Sequence, residues 1–207
     1  MGNEIRRQRT EQYFIDAACK LIKENGVRAA TIRNIAEKAG YNSATLYSYF
    51  DNLGHLLLRA SLVFEEELLH RMMEDERIKS VIKLKDVWPF GYSIMATYYL
   101  ENPNIFDCVF VEKLGENINE LRKMRQEESK FAHYTEGMLF QIANELHISP
   151  QIVMEIHEAC LALTVGIVLL CTKERFDRPI QQIVQTLEKQ ICCIINAYLE
   201  EENLCNN

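Results

Sequence analysis

The sequence lacks the signs of secretion and of membrane insertion. Its seven cysteines have neither the density nor the paired spacing of a disulfide scaffold or a Cys/His metal site. No apolar stretch follows Arg6, Arg7 and Arg9, so we expect no signal peptide. The most apolar run, Ala159–Cys171, is shorter than the roughly 20 residues that span a bilayer. We therefore expect a cytoplasmic protein with no membrane partner, in which this run forms a buried helix.

The sequence also lacks the alternating apolar and polar pattern of β-strands, and it has no internal repeat. Apolar residues instead recur at spacings of three and four along most of the chain. Glycine and proline punctuate these segments, as Gly26 and Gly40 do near the N-terminus and Pro150 does later. The pattern predicts an all-α fold of about nine helices. Among them are a third helix over residues 43–49, a short helix that follows Asn102 and runs from Pro103 to about Leu114, and one long helix over residues 118–146.

Nothing in the sequence indicates an enzyme. It contains no recognisable nucleophile–base pair, Gly-rich phosphate loop or set of metal ligands. His157 and Cys160 share a helix face at a spacing of three, but two ligands are too few to predict a metal site. We therefore predict no catalytic residue, no metal and no cofactor.

The charge is distributed unevenly along the chain. The formal net charge is −7, yet residues 1–59 have nine Lys and Arg against six Asp and Glu, while residues 60–207 have a net charge of −10. Because an acidic surface repels phosphate, this asymmetry restricts any polyanionic partner to the N-terminal end. The asymmetry motivates the hypothesis that the N-terminal region binds DNA.

Residues 31–50 have the pattern of a helix-turn-helix. Two short helices are predicted on either side of a tight turn at Gly40, with Thr31 and Asn42 as their N-caps. In such a unit the first helix braces against the DNA backbone and the start of the second enters the major groove. Small residues allow close approach, hydroxyls reach bases or phosphates, and Arg33 reaches a phosphate or a guanine edge. The predicted DNA-binding residues are Thr31, Arg33, Asn42, Ser43, Ala44, Thr45, Tyr47, Ser48 and Tyr49.

Residues 14–50 resemble the DNA-binding domain of the TetR/AcrR family of transcriptional regulators. The matching features are Ile15-Asp16-Ala17-Ala18, Gly26, Thr31-x-x-x-Ile35-Ala36, Ala39-Gly40 and Thr45-Leu46-Tyr47-x-Tyr49-Phe50. The resemblance implies that Leu46 and Phe50 are core residues. One departure concerns the start of the fourth helix, where family members commonly have Ser-Lys-Glu and this chain has Asn52-Leu53-Gly54. The lysine contact to phosphate is therefore missing, although the helix-end N–H groups can still bind an anion.

The resemblance implies a DNA-binding domain over residues 1–52 and a ligand-binding and dimerisation domain over residues 53–207. It further implies a homodimer, formed through the last two helices, that binds a palindromic operator and is released by a small-molecule effector. Because the last two helices are apolar over more than one stripe, they must be buried by core or by a partner. Two alternatives remain open: a coactivator that acts through a protein partner, and a redox-sensing regulator that uses Cys160 or Cys108.

An effector site is expected in the middle of the chain, as a mostly apolar cavity with few polar groups. The excess of aromatic residues there favours an apolar or aromatic effector, although core packing explains each single residue as well. The candidate pocket residues are Trp88, Tyr92, Met95, Tyr99, Phe110, Phe131, His133, Tyr134, Met138 and Thr164.

Overall fold

The computed structural model describes residues 2–205 and contains no strand within them. The all-α prediction is confirmed, with eleven α-helices where about nine were expected. They are α1 (Gly2–Asn25), α2 (Ile32–Ala39), α3 (Ser43–Leu46), α4 (Leu53–Glu74), α5 (Glu76–Lys79), α6 (Val87–Glu101), α7 (Pro103–Phe106), α8 (Ile118–Glu128), α9 (Lys130–Leu146), α10 (Pro150–Thr172) and α11 (Ile180–Cys205). Single 3-10 turns form at Val27–Ala29 and Leu84–Asp86, and a π-helical turn at Asp107–Val111.

The chain divides into two compact units. Unit 1 contains the residues up to Glu67 together with Asn102–Lys130, and unit 2 contains Leu68–Glu101 together with the residues from Phe131 onward. The boundary therefore lies inside α4, whereas the sequence places a domain boundary at 52/53. The difference arises because α7 packs against α1, while the first part of α4 forms ion pairs with both α1 and α8.

The core of unit 1 is built around α1. This helix packs against both α2 and α7, and its inward face buries Phe14 and Ile22 completely. Ile35 of α2, Leu46 of α3 and Leu56 of α4 are also fully buried. These side chains remove apolar surface from water at about 25 cal/mol per Å², which is the main force that holds such short helices together.

The predicted single helix over residues 118–146 is wrong, because it is interrupted at Ser129. The chain leaves the helical conformation there, and the Ser129 hydroxyl donates a hydrogen bond of 2.7 Å to the Glu65 carboxylate. Arg125 forms an ion pair with the same carboxylate, whose side chain is only 5% exposed. A buried carboxylate needs such partners, and the serine supplies one of them by leaving the helical path. Helical periodicity continues across the break, so the sequence pattern does not reveal it.

The short helix expected from Pro103 to about residue 114 is also modified. Asn102 precedes the first-turn proline as expected, but the α-helical part ends at Phe106 and continues as the π-helical turn. Phe106 and Cys108 are buried by this arrangement, whereas Phe110 is 38% exposed. The wider turn thus changes which side chains of the segment face the core of unit 1.

Unit 2 is organised around α6, which packs against α10 and α11. α6 is apolar on all sides, and Trp88, Tyr92, Met95 and Tyr99 along it are buried. Ser149 caps α10 by accepting a hydrogen bond of 3.1 Å from the Gln151 N–H, as the Ser-Pro signal predicts. A central helix enclosed by two long helices is what such a uniformly apolar sequence requires.

α10 is more exposed than the buried helix that the sequence predicts. By length and composition it is the one described helix that could cross a membrane, and only 28% of that apolar window is buried within the chain. Val153, Ile156 and Cys160 face the core, while Met154, Leu169 and Leu170 do not. The core helices of soluble proteins pass the same test, and α10 packs against α6 and α11. Its second apolar face nevertheless has no cover among the described residues.

The buried Glu65 supports a stability prediction. Glu65→Ala removes the carboxylate that holds Arg125 and Ser129, and we expect a loss of about 3 kcal/mol because breaking a buried ion pair leaves the other charge uncompensated. Glu66→Ala is the matched control, since the neighbouring Glu66 pairs with Lys130 on the surface at 3.0 Å. That variant should lose less than about 1 kcal/mol. Urea unfolding measures both values, and equal losses would contradict the buried role of Glu65.

Candidate nucleic-acid interface

The predicted turn between the two short helices is present in detail. The Thr31 hydroxyl accepts a hydrogen bond of 3.2 Å from the Asn34 N–H, and the Asn42 side chain accepts one of 2.9 Å from the Thr45 N–H. Between these caps, Gly40 has φ of 79°, a left-handed conformation that glycine adopts at little cost. Each predicted cap is thus confirmed, and together they fix the direction in which α3 leaves the turn.

α3 is shorter than predicted. Its α-helical part ends at Leu46, and the chain then tightens, with Ser48 and Tyr49 donating backbone hydrogen bonds to carbonyls three residues earlier. Leu46 and Phe50 point inward, with 0% and 5% exposure. Their predicted core positions are confirmed. We use the name recognition segment for residues 42–49, which include α3 and this tightened turn.

The recognition segment presents small and polar side chains on its outer face. Exposed side chains in the segment are those of Asn42, Ala44, Tyr47 and Ser48. Tyr47 is 58% exposed and is the more exposed of the segment's two tyrosines. Some polar groups are already engaged, since the Thr45 hydroxyl donates to Asn42 at 3.1 Å. The remaining predicted residues are Ser43, Thr45 and Tyr49, which are half-buried, and Thr31 and Arg33, which are exposed at the start of α2.

An aromatic cluster seats the recognition segment on α1. The Phe14 ring lies 5.2 Å from Tyr41, 5.7 Å from Tyr49 and 6.4 Å from Phe50, measured between ring centroids. Tilted and edge-on pairs at such distances contribute about 0.5–1.5 kcal/mol each beyond their buried area. The sequence singles out Tyr49 only as a phosphate contact, and its packing role was not predicted. One ring of α1 therefore contacts residues on both sides of the recognition segment.

The structure at the start of α4 explains why this chain has Gly54 in place of the third residue of the Ser-Lys-Glu pattern. Gly54 lies so close to a neighbouring loop that an added Cβ would be 3.0 Å from the Leu114 carbonyl oxygen and 3.1 Å from the Gly115 Cα. A larger residue at Gly54 would displace this loop. The Asn52 side chain accepts a hydrogen bond of 3.0 Å from the His55 N–H, so one of the free N–H groups at this helix end is already satisfied.

His55 ties the start of α4 to α8. Its ring nitrogens lie 3.4 Å from an Asp51 carboxylate oxygen and 3.2 Å from a Glu120 carboxylate oxygen. The sequence contains no signal that pairs residues 55 and 120, because the contact depends on how α8 folds back onto α4.

The predicted effector residues are not all brought together. Trp88, Tyr92, Met95, Tyr99 and Thr164 are buried in unit 2, whereas Phe110 belongs to unit 1. The α9 candidates are Phe131 and Met138, which are half-buried, and His133 and Tyr134, which are exposed.

The buried candidates include polar groups that sequence reasoning did not connect. The Tyr92 hydroxyl lies 2.6 Å from His157 Nδ1 and donates to the His157 carbonyl at 3.0 Å. Burial lowers the pKa of His157, which favours its neutral form. The Trp88 Nε1–H is buried and has no hydrogen-bond partner among the described residues.

Two open grooves lie on the surface of unit 2. One, of about 460 Å³, is lined by apolar residues of α10 and α11 and by Phe176 between them. The other, of about 920 Å³, lies between the segment around Ile82 and Phe90 and the part of α11 that contains Cys192 and Cys193. Neither groove is lined by a residue predicted for the effector site.

The cysteines proposed for redox sensing are poorly placed for that role. Cys108 and Cys160 are completely buried, and burial raises the pKa of each thiol to about 12. Since the thiolate is the reactive form, such thiols are inert at neutral pH. Within residues 2–205, no cluster of three or more His, Cys, Asp or Glu residues is arranged to hold a metal ion.

The comparisons with known proteins agree with this geometry. The family model of bacterial regulatory proteins of the tetR family matches residues 14–60. A fatty acid metabolism regulator protein of Bacillus subtilis is 34% identical over 84 residues, which are 38% of this chain and 42% of the relative. The HTH-type transcriptional repressor KstR2 of Rhodococcus jostii is 38% identical over 68 residues, 33% of this chain and 28% of the relative. The chain thus spans less than half the length of these two relatives.

A solved structure shows how far the fold extends. The tetR-family transcriptional regulator of Streptomyces coelicolor superposes with a TM-score of 0.64 at 17% identity, covering 94% of this chain and 83% of that chain. At 17% identity this likeness shows the fold alone, and the shared fold covers 94% of this chain. Residues 14–60 thus match the tetR family of bacterial regulatory proteins by sequence, and the remaining helices share the fold of a solved tetR-family regulator.

Proposed function

We propose that this protein is a ligand-responsive transcriptional regulator that binds double-stranded operator DNA through the recognition segment. The observation that supports this most strongly is the outer face of that segment, where Asn42, Ala44, Tyr47 and Ser48 are exposed while two caps and Phe14 fix the backbone behind them. Preorganisation matters because ordering a loop on binding would cost affinity. The proposal places the protein in the cytoplasm, where it acts as a repressor by covering a promoter.

The side chains suit the major groove in different ways. The groove is about 12 Å wide and admits one helix, and the small side chains of Ser43 and Ala44 let the α3 backbone approach the base edges. Thr45 and Ser48 offer hydroxyls to bases, and the Thr45 methyl suits a thymine methyl. Tyr47 and Arg33, which extend from the surface, are placed to reach phosphates and so to set the register.

Tyr47→Ala tests the DNA proposal without disturbing the core. Tyr47 is 58% exposed, so its removal should leave the fold intact. Operator binding should weaken about tenfold, because the variant loses the hydroxyl that is proposed to contact a phosphate. Mobility-shift titration on the duplex upstream of the protein's own gene measures the change.

Phe140→Ala is the matched control, since Phe140 is an aromatic residue of unit 2 with 59% exposure. That variant should bind like the wild type. Absence of specific retardation by the wild type, or equal binding by Tyr47→Ala, would contradict the DNA proposal.

A second part of the proposal is that α10 and α11 form a homodimer interface. Their apolar groove of about 460 Å³ is open to solvent, and Leu169, Leu170 and Ile180 beside it are 36–40% exposed. A second copy of the same two helices would bury this surface in a four-helix arrangement. Two recognition segments would then lie about 34–36 Å apart, one turn of DNA, on a palindromic site.

Ile167→Glu tests the dimer. Ile167 lines this mostly apolar groove, and moving a carboxylate from water into the interface would cost free energy, so sedimentation velocity should show a monomer. Ile82→Glu introduces the same charge at a residue that is 96% exposed and should leave the dimer intact. A wild-type monomer, or an unchanged dimer in Ile167→Glu, would refute this interface.

The third part of the proposal is an apolar effector bound in unit 2 beside the buried face of α6. The Trp88 Nε1–H has no partner among the described residues, and a buried donor left unpaired costs about 1–3 kcal/mol, which an acceptor on a ligand would recover. Because one relative is a fatty acid metabolism regulator, a long-chain fatty acid is the first probe to use. A coupling of about 1–3 kcal/mol between the two sites would change DNA affinity about 5- to 150-fold.

Trp88 is the only tryptophan of the chain and therefore reports on this site directly. We expect oleate to shift the Trp88 emission and, at the same concentrations, to release the operator in a mobility-shift assay. Acetate, which has the same carboxylate without the chain, should do neither. If oleate releases the operator without changing the emission, the effector binds elsewhere; if it does neither, the fatty-acid class is wrong.

A further inference from the structure

Ion pairing divides the positive charges of unit 1 into two groups. Most are neutralised by a carboxylate within 4.0 Å, as Lys23 is by Glu67 and Arg28 is by Glu112. The same holds for Lys20, Lys38, Arg59, Lys113, Lys123, Arg125 and Lys130. Among the described residues, those of unit 1 that have no such carboxylate are Arg6, Arg7, Arg9, Arg33 and Arg122.

Three of these free arginines lie on an overhang of α1. The helix begins at Gly2, and among its residues whose burial is described Thr10 is the first buried one, so residues 2–9 rise about 12 Å beyond the core of unit 1. The match to the family model begins later still, at residue 14. A helical extension that buries so little is not explained by packing within the chain. Its only acidic residue is Glu4, so its net charge is positive.

Arg7 shows where this overhang lies. Its guanidinium carbon is 5.5 Å from the centroid of the Tyr49 ring, whose other neighbour is Phe14. A guanidinium over an aromatic face is held by cation–π attraction and keeps its N–H groups free to bind an anion. The free positive charge of α1 is thereby fixed beside the recognition segment.

We propose that the α1 overhang is a second DNA-binding element, in which Arg7, with Arg6 and Arg9, binds phosphates of the duplex that the recognition segment reads. This inference rests on the proposed function. The partner is a phosphate backbone because three of the five unpaired arginines of unit 1 lie on this overhang, and Arg7 is held beside the recognition segment. Arg6 and Arg9, three residues apart, share one helix face and can follow one strand.

Phosphate binding has a distinctive signature in its dependence on salt. Removing one arginine–phosphate interaction makes the slope of log K against log salt concentration shallower by about 0.9, and it weakens binding to all duplex sequences alike. We therefore expect Arg7→Gln to flatten the slope by about 0.9 per protomer and to weaken operator and unrelated duplex by similar factors. The triple variant Arg6→Gln, Arg7→Gln, Arg9→Gln should flatten it by about 2.7 per protomer, and Arg7→Lys should retain most of the slope.

Arg122→Gln is the matched control, because Arg122 is an exposed and equally unpaired arginine of unit 1 on α8. Its slope should equal that of the wild type. A slope unchanged by Arg7→Gln, or flattened equally by Arg122→Gln, would overturn the inference while leaving operator binding itself established. A wild-type protein that retards no duplex at all would instead refute the proposed function, so the two failures are distinguishable.

Discussion

The position of the recognition segment depends on one buried ring. Phe14 contacts Tyr41 before the segment and Tyr49 and Phe50 at its end, so a single side chain of α1 fixes both limits of the element that we propose binds DNA. The four-residue α3 is too short to be stable alone, since isolated helices need about 12–15 residues to be even marginally stable in water. Its geometry is therefore imposed by this cluster together with the caps on either side.

The parts of the site that the sequence predicts are those that local chemistry determines. Thr31, Gly40 and Asn42 act within three or four residues of their own positions, so their roles follow from residue type and spacing. The break at Ser129 was missed because its cause lies 64 residues away, in the carboxylate of Glu65. Gly54 is a similar case, since only the close approach of Leu114 and Gly115 explains why this position has no side chain.

These long-range contacts also explain why a boundary at 52/53 does not coincide with the compact units. Within unit 1, His55 contacts Glu120 and Arg59 contacts both Glu11 and Glu128, so the first part of α4 is bonded to α1 and to α8. A fragment ending at residue 52 would lack His55, Arg59 and their partners on α8, and the apolar side chains Leu56 and Leu57 as well. The sequence motif for DNA binding is thus shorter than the structure that supports it.

Charge pairing adds information that composition alone does not contain. The net charge of +3 over residues 1–59 suggests a diffuse basic surface, yet carboxylates neutralise Lys23, Arg28 and Lys38 at distances of 2.7–3.0 Å. Surface pairs of this kind contribute little to stability, about 0–1 kcal/mol each, but they remove charge from the field that a polyanion meets. What remains is concentrated on the α1 overhang and on Arg33 at the start of α2, on either side of the Phe14 cluster in sequence. An acidic protein thereby keeps a locally positive surface, and the arginines that create it are distinguished by the absence of partners rather than by their number.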